Sequence, residues 1–129
     1  MARNGLVGRR VLVGRRVLVV EDELLIAMLI EDALVDQDCV IVGPYAHLQD
    51  ALTAAATETV DLAVLDVNLA GEKVYPLAEL LAERGIPFVL LSGYGRDAVP
   101  ANRPEWQACS KPFQPNELVD MLSRQVMPK

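Results

Sequence analysis

From Arg16 onward, two kinds of apolar pattern alternate along the chain. Val17–Val20 is short, wholly apolar and mostly β-branched, the pattern of a strand covered on both faces. Residues 23–37 follow at helical period, with Leu25, Met28, Leu29 and Ala33 expected on one core-facing stripe. Val40–Val42 predicts a second strand closed by Gly43-Pro44, residues 47–59 an alanine-rich helix, and Asp61–Asp66 a third strand. Val74–Arg84 reads as a third helix, stopped by Gly85. Pro87–Leu91 predicts a fourth strand and Trp106–Ser110 a fifth, less apolar one. Between these two strands, Gly93, Gly95, Pro100 and Pro104 leave room only for a short or irregular helix. The last helix starts near Gln114-Pro115-Asn116-Glu117 and turns Leu118, Met121, Leu122 and Val126 inward. Five strands alternating with helices specify an α/β fold, a doubly wound parallel sheet with right-handed crossovers.

Upstream, Val7-Gly-Arg-Arg-Val-Leu12 recurs as Val13-Gly-Arg-Arg-Val-Leu18. Two copies are too few for a solenoid. The second runs into the first strand, so residues 1–15 are taken as a basic N-terminal extension and 16–129 as the folded domain. The stretch Val11–Val13 has strand character and is expected to pair with something.

Charge divides the same way. The first 16 positions hold five arginines and no acid, leaving 7 basic against 18 acidic residues in 17–129, a net of −11. Such a body repels nucleic-acid phosphates, so no direct DNA binding is expected. The twin arginines suggest an export signal, but Val17–Val20 runs straight into Glu21, Asp22 and Glu23, too short for its apolar region. The longest apolar run, Leu24–Ile30, falls far short of the ~20 residues of a membrane span. Cys39 and Cys109 match no ligand or redox spacing and read as reduced core thiols, with the cytoplasm as the expected compartment.

In doubly wound sheets, ligands bind beyond the carboxyl ends of the strands. The first strand ends in Glu21-Asp22, the third in Asp66, the fourth in Ser92 and the fifth in Ser110-Lys111-Pro112. Three acids on one rim repel one another unless a hard cation lies among them, and Mg²⁺ suits carboxylates plus a backbone carbonyl. Lys111 can pair with Asp66 and with an anion delivered to it, and Ser92 can hydrogen-bond an oxygen of that anion. Together they describe an acceptor for a phosphoryl group.

The runs Val17-Leu-Val-Val-Glu-Asp-Glu23, Val64-Leu-Asp-Val-Asn68, Leu91-Ser92 and Ser110-Lys-Pro-Phe113 resemble the receiver domain of two-component response regulators, over about residues 16–127. The resemblance implies a flavodoxin-like sheet of strand order 2-1-3-4-5. It makes Asp66 the phosphoacceptor, Glu21 and Asp22 the acidic pair, and the backbone carbonyl of Asn68 a third Mg²⁺ contact beside Asp66. Ser92 and Lys111 fall on the family's hydroxyl and lysine positions, and Lys111-Pro112 on a pair commonly joined by a cis bond. Leu90-Leu-Ser-Gly-Tyr-Gly95 and Asp66-Val-Asn-Leu-Ala-Gly71 resemble the FAT GUY subgroup, departing from it at Leu90-Leu91-Ser92. The switch aromatic expected three positions before the lysine is Ala108, so Tyr94 is the candidate substitute, unless it simply packs over the short helical region.

The expected function is that of a single-domain response regulator. It accepts a phosphoryl group from a histidine kinase or histidine phosphotransfer protein and acts through a downstream protein, as a phosphoacceptor rather than a conventional enzyme. At 129 residues no output domain is expected. Two alternatives stand beside it. One is a Mg²⁺-dependent phosphatase or phosphotransferase with an aspartate nucleophile, which would need a general acid where Asn68 stands. The other is a non-phosphorylated flavodoxin-like binding module. His47 could cap its helix or lie in solvent, Trp106 is expected to pack half-buried, and surplus apolar surface on the first helix could dock a partner or be covered by the extension. A homodimer through the extension or the fourth-helix face is also open.

Overall fold

The computed structural model describes residues 10–127. Five parallel strands, β1 (Arg16–Val20), β2 (Val40–Tyr45), β3 (Leu62–Asp66), β6 (Phe88–Ser92) and β7 (Gln107–Ser110), form one sheet in the order β2-β1-β3-β6-β7. A two-stranded antiparallel hairpin, β4 (Asn68–Leu69) with β5 (Glu72–Lys73), follows β3. The helices are α1 (Leu24–Asp36), α2 (Leu48–Thr57), α3 (Tyr75–Glu83) and α4 (Pro115–Val126). The flavodoxin-like order expected from the sequence is the one observed.

The pleat sorts the core into two layers. Val17 and Val19 of β1 face Ile30 and Leu34 of α1 and Leu118 and Leu122 of α4, while Leu18 and Val20 face the opposite side with Ala51 and Ala55 of α2 and Leu77 and Leu81 of α3. β1 and β3 lie between other strands and bury every residue from Val17 to Val20 and from Leu62 to Asp66, which is why their sequences run apolar without alternation. α4 starts as the sequence indicates, with Pro115 in its first turn and Glu117 reaching back to accept from the Gln114 N–H at 2.8 Å.

Three expectations need correction, and one element is new. On α1 the buried stripe is Ala27, Ile30, Ala33 and Leu34, whereas Leu25, Met28 and Leu29 are exposed. Two apolar stripes share this helix, and side-chain periodicity alone does not say which one meets the sheet. β2 is not closed by Gly43-Pro44 but runs through them to Tyr45, with a cis Gly43-Pro44 bond and a register shift against β1. Pro44 is tolerated because β2 is an edge strand. The hairpin β4–β5 was not foreseen. Its turn residues Ala70 and Gly71 both have positive φ (50° and 90°), the geometry of a tight hairpin turn that glycine favours. Finally, Val11–Val13 is a turn, not a strand, closed by Arg10 and Gly14 at positive φ and sealed by Leu12, which is buried beneath α1. Between β6 and β7 the expected short helix is a single 3₁₀ turn, Gly95–Ala98.

Candidate functional site

The parallel sheet brings the carboxyl ends of β1, β3, β6 and β7 to one rim. Register fixes the depth: Val20 lies beside Leu65, Asp66 beside Leu91, and Ser92 beside Ser110, so Glu21 and Asp66 are level, with Ser92 one residue and Lys111 two residues further along the same rim. Single carboxylate oxygens of Glu21, Asp22 and Asp66 all lie within 4.8 Å of one another.

Lys111 is the hub of this cluster. Its ammonium stands 3.1 Å from Glu21 Oε1, 3.3 Å from Asp66 Oδ1 and 3.3 Å from Glu23 Oε1. Burial works against its charge, but Glu21, Asp66 and Glu23 outweigh it and hold the Lys111 pKa above the ordinary lysine value. The pKa of Asp66, only 5 % exposed, is also raised, up to about 7. Desolvation is the main cause, followed by its contact with Glu21, and Lys111 offsets only part of this. Glu21 Oε1 is buried without a hydrogen-bond partner, with the Lys111 ammonium 3.1 Å away.

These residues fit a hard divalent cation. The donors are all oxygen, one buried oxygen lacks a hydrogen bond, and the cluster holds more negative charge than one lysine neutralises. Asp22 is exposed at the rim and its Oδ2 accepts from the Ala70 N–H at 3.0 Å, so the hairpin turn steadies that carboxylate. Asn68, also exposed, donates its N–H to Asp66 Oδ1 at 3.3 Å and begins β4, beside the other candidate ligands.

A cleft of about 300 Å³ opens over Asp66, lined among others by Ser92, Tyr94, Lys73 and Lys111. Ser92 is buried at its wall, where its Oγ accepts the Tyr94 N–H at 2.9 Å and keeps its own proton free to donate. The Tyr94 ring is 80 % exposed at the mouth, so it does not pack over the 3₁₀ turn. Ala108 is partly buried on β7 with no aromatic in its place. The Lys111-Pro112 bond is cis, as the resemblance implied.

Two contributors escaped sequence reasoning. Glu23 pairs with Lys111; its signal was the third acid in Glu21-Asp22-Glu23. Lys73 reaches the cleft only because the hairpin folds back, and nothing in its spacing announced that. Other candidates stay apart from the chemistry. His47 precedes α2, exposed and without a capping bond. Both cysteines are free thiols raised by burial, Cys39 to about 11 with help from Asp38. Trp106 is more deeply buried than expected, edge-on to Phe88 at 5.2 Å with the Arg103 guanidinium 5.4 Å from its ring centre.

The family model described as response regulator receiver domain matches residues 17–123. No curated protein sequence matches the chain. Among solved structures, SdrG from Sphingomonas melonis Fr1 is 38 % identical with a TM-score of 0.77, over 88 % of this chain and 98 % of that one. The BeF3-activated conformation of SdrG from Pseudomonas melonis Fr1 is 38 % identical with a TM-score of 0.71, over 86 % and 96 %. The response regulator PhyR from Brucella abortus is 27 % identical with a TM-score of 0.80 over 91 % of this chain, which spans about half (49 %) of that protein.

Proposed function

The chain belongs to the response regulator receiver domain family, and from that premise we propose that it is a phosphorylation-controlled regulator whose acceptor is Asp66. Residues 16–129 form the receiver unit and 1–15 an extension whose Leu12 is tucked under it. A carboxylate oxygen of Asp66 attacks the phosphorus of a phosphohistidine on a kinase or phosphotransfer protein. The P–O bond forms as the P–N bond breaks, and the imidazole nitrogen takes the leaving electron pair. The observation that carries this reading is Lys111 Nζ 3.3 Å from Asp66 Oδ1, at the floor of an open cleft whose wall is the Ser92 hydroxyl.

Mg²⁺, held by Glu21, Asp22, Asp66 and the Asn68 carbonyl, would neutralise charge on the transferred group and lower the proton affinity of Asp66. The remaining work falls to the chain itself. Lys111 supplies a fixed cation for phosphoryl oxygens as its contact with Asp66 is given up to them, and Ser92 turns its free hydroxyl proton toward another oxygen. Because Ser92 Oγ also holds the Tyr94 N–H, a movement of Ser92 carries the exposed Tyr94 with it. With Ala108 in place of an aromatic, Tyr94 is the side chain through which the acylphosphate state becomes visible to a downstream protein. Leu24, Leu25, Met28 and Leu29 form an exposed apolar patch on α1, which begins just beyond the acidic pair, and they suit docking of the helical phosphodonor. The acidic body disfavours DNA as the direct target. Among the described residues no helix is long and apolar enough to cross a membrane; the cytoplasm, where kinases of this kind act, is the proposed compartment.

The direct test is intact-protein mass spectrometry after incubation with Mg²⁺ and acetyl phosphate. Wild type gains one phosphoryl group and Asp66→Asn gains none; an unchanged wild-type mass sinks the acceptor assignment.

A further inference from the structure

The N-terminal repeat extends further than its two matching hexapeptides. Residues 6–14 read Leu-Val-Gly-Arg-Arg-Val-Leu-Val-Gly and residues 12–20 read Leu-Val-Gly-Arg-Arg-Val-Leu-Val-Val, differing only at the last position. The second stretch includes the turn under α1 and the whole of β1. Each of its structural roles except that of Val20 therefore has the same residue type six positions upstream. Leu12, the buried plug, is preceded by Leu6, and Gly14, at φ +78°, by Gly8. Arg16, which donates to the Thr59 carbonyl and pairs with Glu58, is preceded by Arg10. Val17-Leu18-Val19, fully buried in both layers, is preceded by Val11-Leu12-Val13. The period is even, so a shift by one repeat leaves each side chain on its own face of the sheet. No proline intervenes to interrupt the hydrogen-bond ladders to β2 and β3.

We infer that β1 of this protein has a second register, with Arg10–Gly14 in the place of Arg16–Val20, in which the acidic site is dismantled. In that register Arg15 and Arg16 follow the strand where Glu21 and Asp22 now stand. Two guanidinium groups then face Asp66 in place of two carboxylates, and the donor set for a divalent cation is gone. The loop before α1 is longer by six residues and carries the displaced acids. The shift gives up one buried valine (Val20 against Gly14), the Glu21–Lys111 pair and the Arg10–Asp38 pair, so the observed register is the major one. It also removes the repulsion among Glu21, Asp22 and Asp66. A cation binds only the observed register, and Mg²⁺ therefore acts as a register selector. This regulation rests on the proposed reading only in that Glu21 and Asp22 are cation ligands. Because β1 is paired on both sides, the registers interchange only by opening the sheet and are seen as separate species.

Two substitutions outside the site discriminate between the registers. In Gly14→Val a β-branched residue is forced to positive φ in the observed register, with no clash around its Cβ, while in the shifted register it fills the place of Val20. In Val13→Glu the side chain is half in solvent in the observed register (Val13 is 52 % exposed), but in the shifted one it takes the wholly buried place of Val19. Full-length Gly14→Val is expected to show two sets of backbone amide resonances in chelator and one at saturating Mg²⁺. Its apparent Mg²⁺ affinity by calorimetry should be weaker than wild type by about fivefold or more. Val13→Glu added to Gly14→Val should restore one set and the wild-type affinity. A single set with wild-type affinity in Gly14→Val overturns the inference, as does a weakened affinity that Val13→Glu fails to restore, which would mark a merely strained turn. Should Gly14→Val not fold, Val20→Gly with and without Val13→Glu gives the same readouts. Wild-type protein that binds no Mg²⁺ overturns the cation site, while two resonance sets abolished by Val13→Glu would still report the register.

Discussion

A carboxyl group that is 5 % exposed and faces a second buried carboxylate keeps its proton to a pH of about 7. For Asp66 the sign of the stability effect follows directly. Its pKa is higher folded than unfolded, so the folded state holds a proton that the unfolded chain has lost between about pH 4 and pH 7. The stabilisation is complete below the unfolded value and disappears as the pH rises through the folded one. In chelator, Asp66→Asn should therefore be more stable than wild type at pH 7.5, by roughly 2–4 kcal/mol, and the gap should narrow toward pH 5. Urea unfolding of both proteins across that range measures it; a gap independent of pH would mean that Asp66 ionises normally. The residue that receives the phosphoryl group is thus held at a cost to the metal-free fold.

At the scale of elements, α1 shows what a sequence can and cannot reveal. Its helical period was legible, but its facing was not. Leu25 and Leu29 match Ile30 and Leu34 in apolar character, and the side that meets the sheet is set by how the Glu21–Glu23 segment leaves β1. The two stripes should separate cleanly in experiment. Ile30→Ala deletes a wholly buried side chain and should cost about 2–4 kcal/mol in urea unfolding. Leu25→Ala, at a position 79 % exposed, should change stability by less than about 0.5 kcal/mol. It should nevertheless slow phosphotransfer from a histidine-phosphorylated donor protein while leaving the acetyl phosphate reaction unchanged. Slowing of both reactions alike would remove α1 as the docking face. The strand ends were legible because a parallel sheet places all its carboxyl ends on one rim, so Glu21, Asp22, Asp66, Ser92 and Lys111 could be assembled without coordinates. The β4–β5 hairpin was not legible. Two-residue strands carry no periodicity, and its turn uses Ala70 at a position where asparagine or glycine would have announced it.

Over the whole molecule, the two core layers meet at a rim that carries an uncompensated charge, and the fold is finished only when that charge is answered. Mg²⁺ binding should accordingly raise thermal stability, by about 2.7 kcal/mol at a hundred times its dissociation constant, with no such gain in Asp66→Asn if that carboxylate is a ligand. Differential scanning calorimetry with Mg²⁺ and with chelator decides this. The sheet also separates its two ends optically. The sole tryptophan, Trp106, is buried against Phe88 where β7 begins, at the edge of the sheet opposite to the rim that holds Asp66. Its emission should report unfolding of the sheet faithfully and stay unchanged in wavelength and intensity as Mg²⁺ is titrated in. Tryptophan emission is therefore blind to cation occupancy in this protein. A reporter placed at Tyr94, four-fifths in solvent above the cleft, would see what the native chromophore cannot.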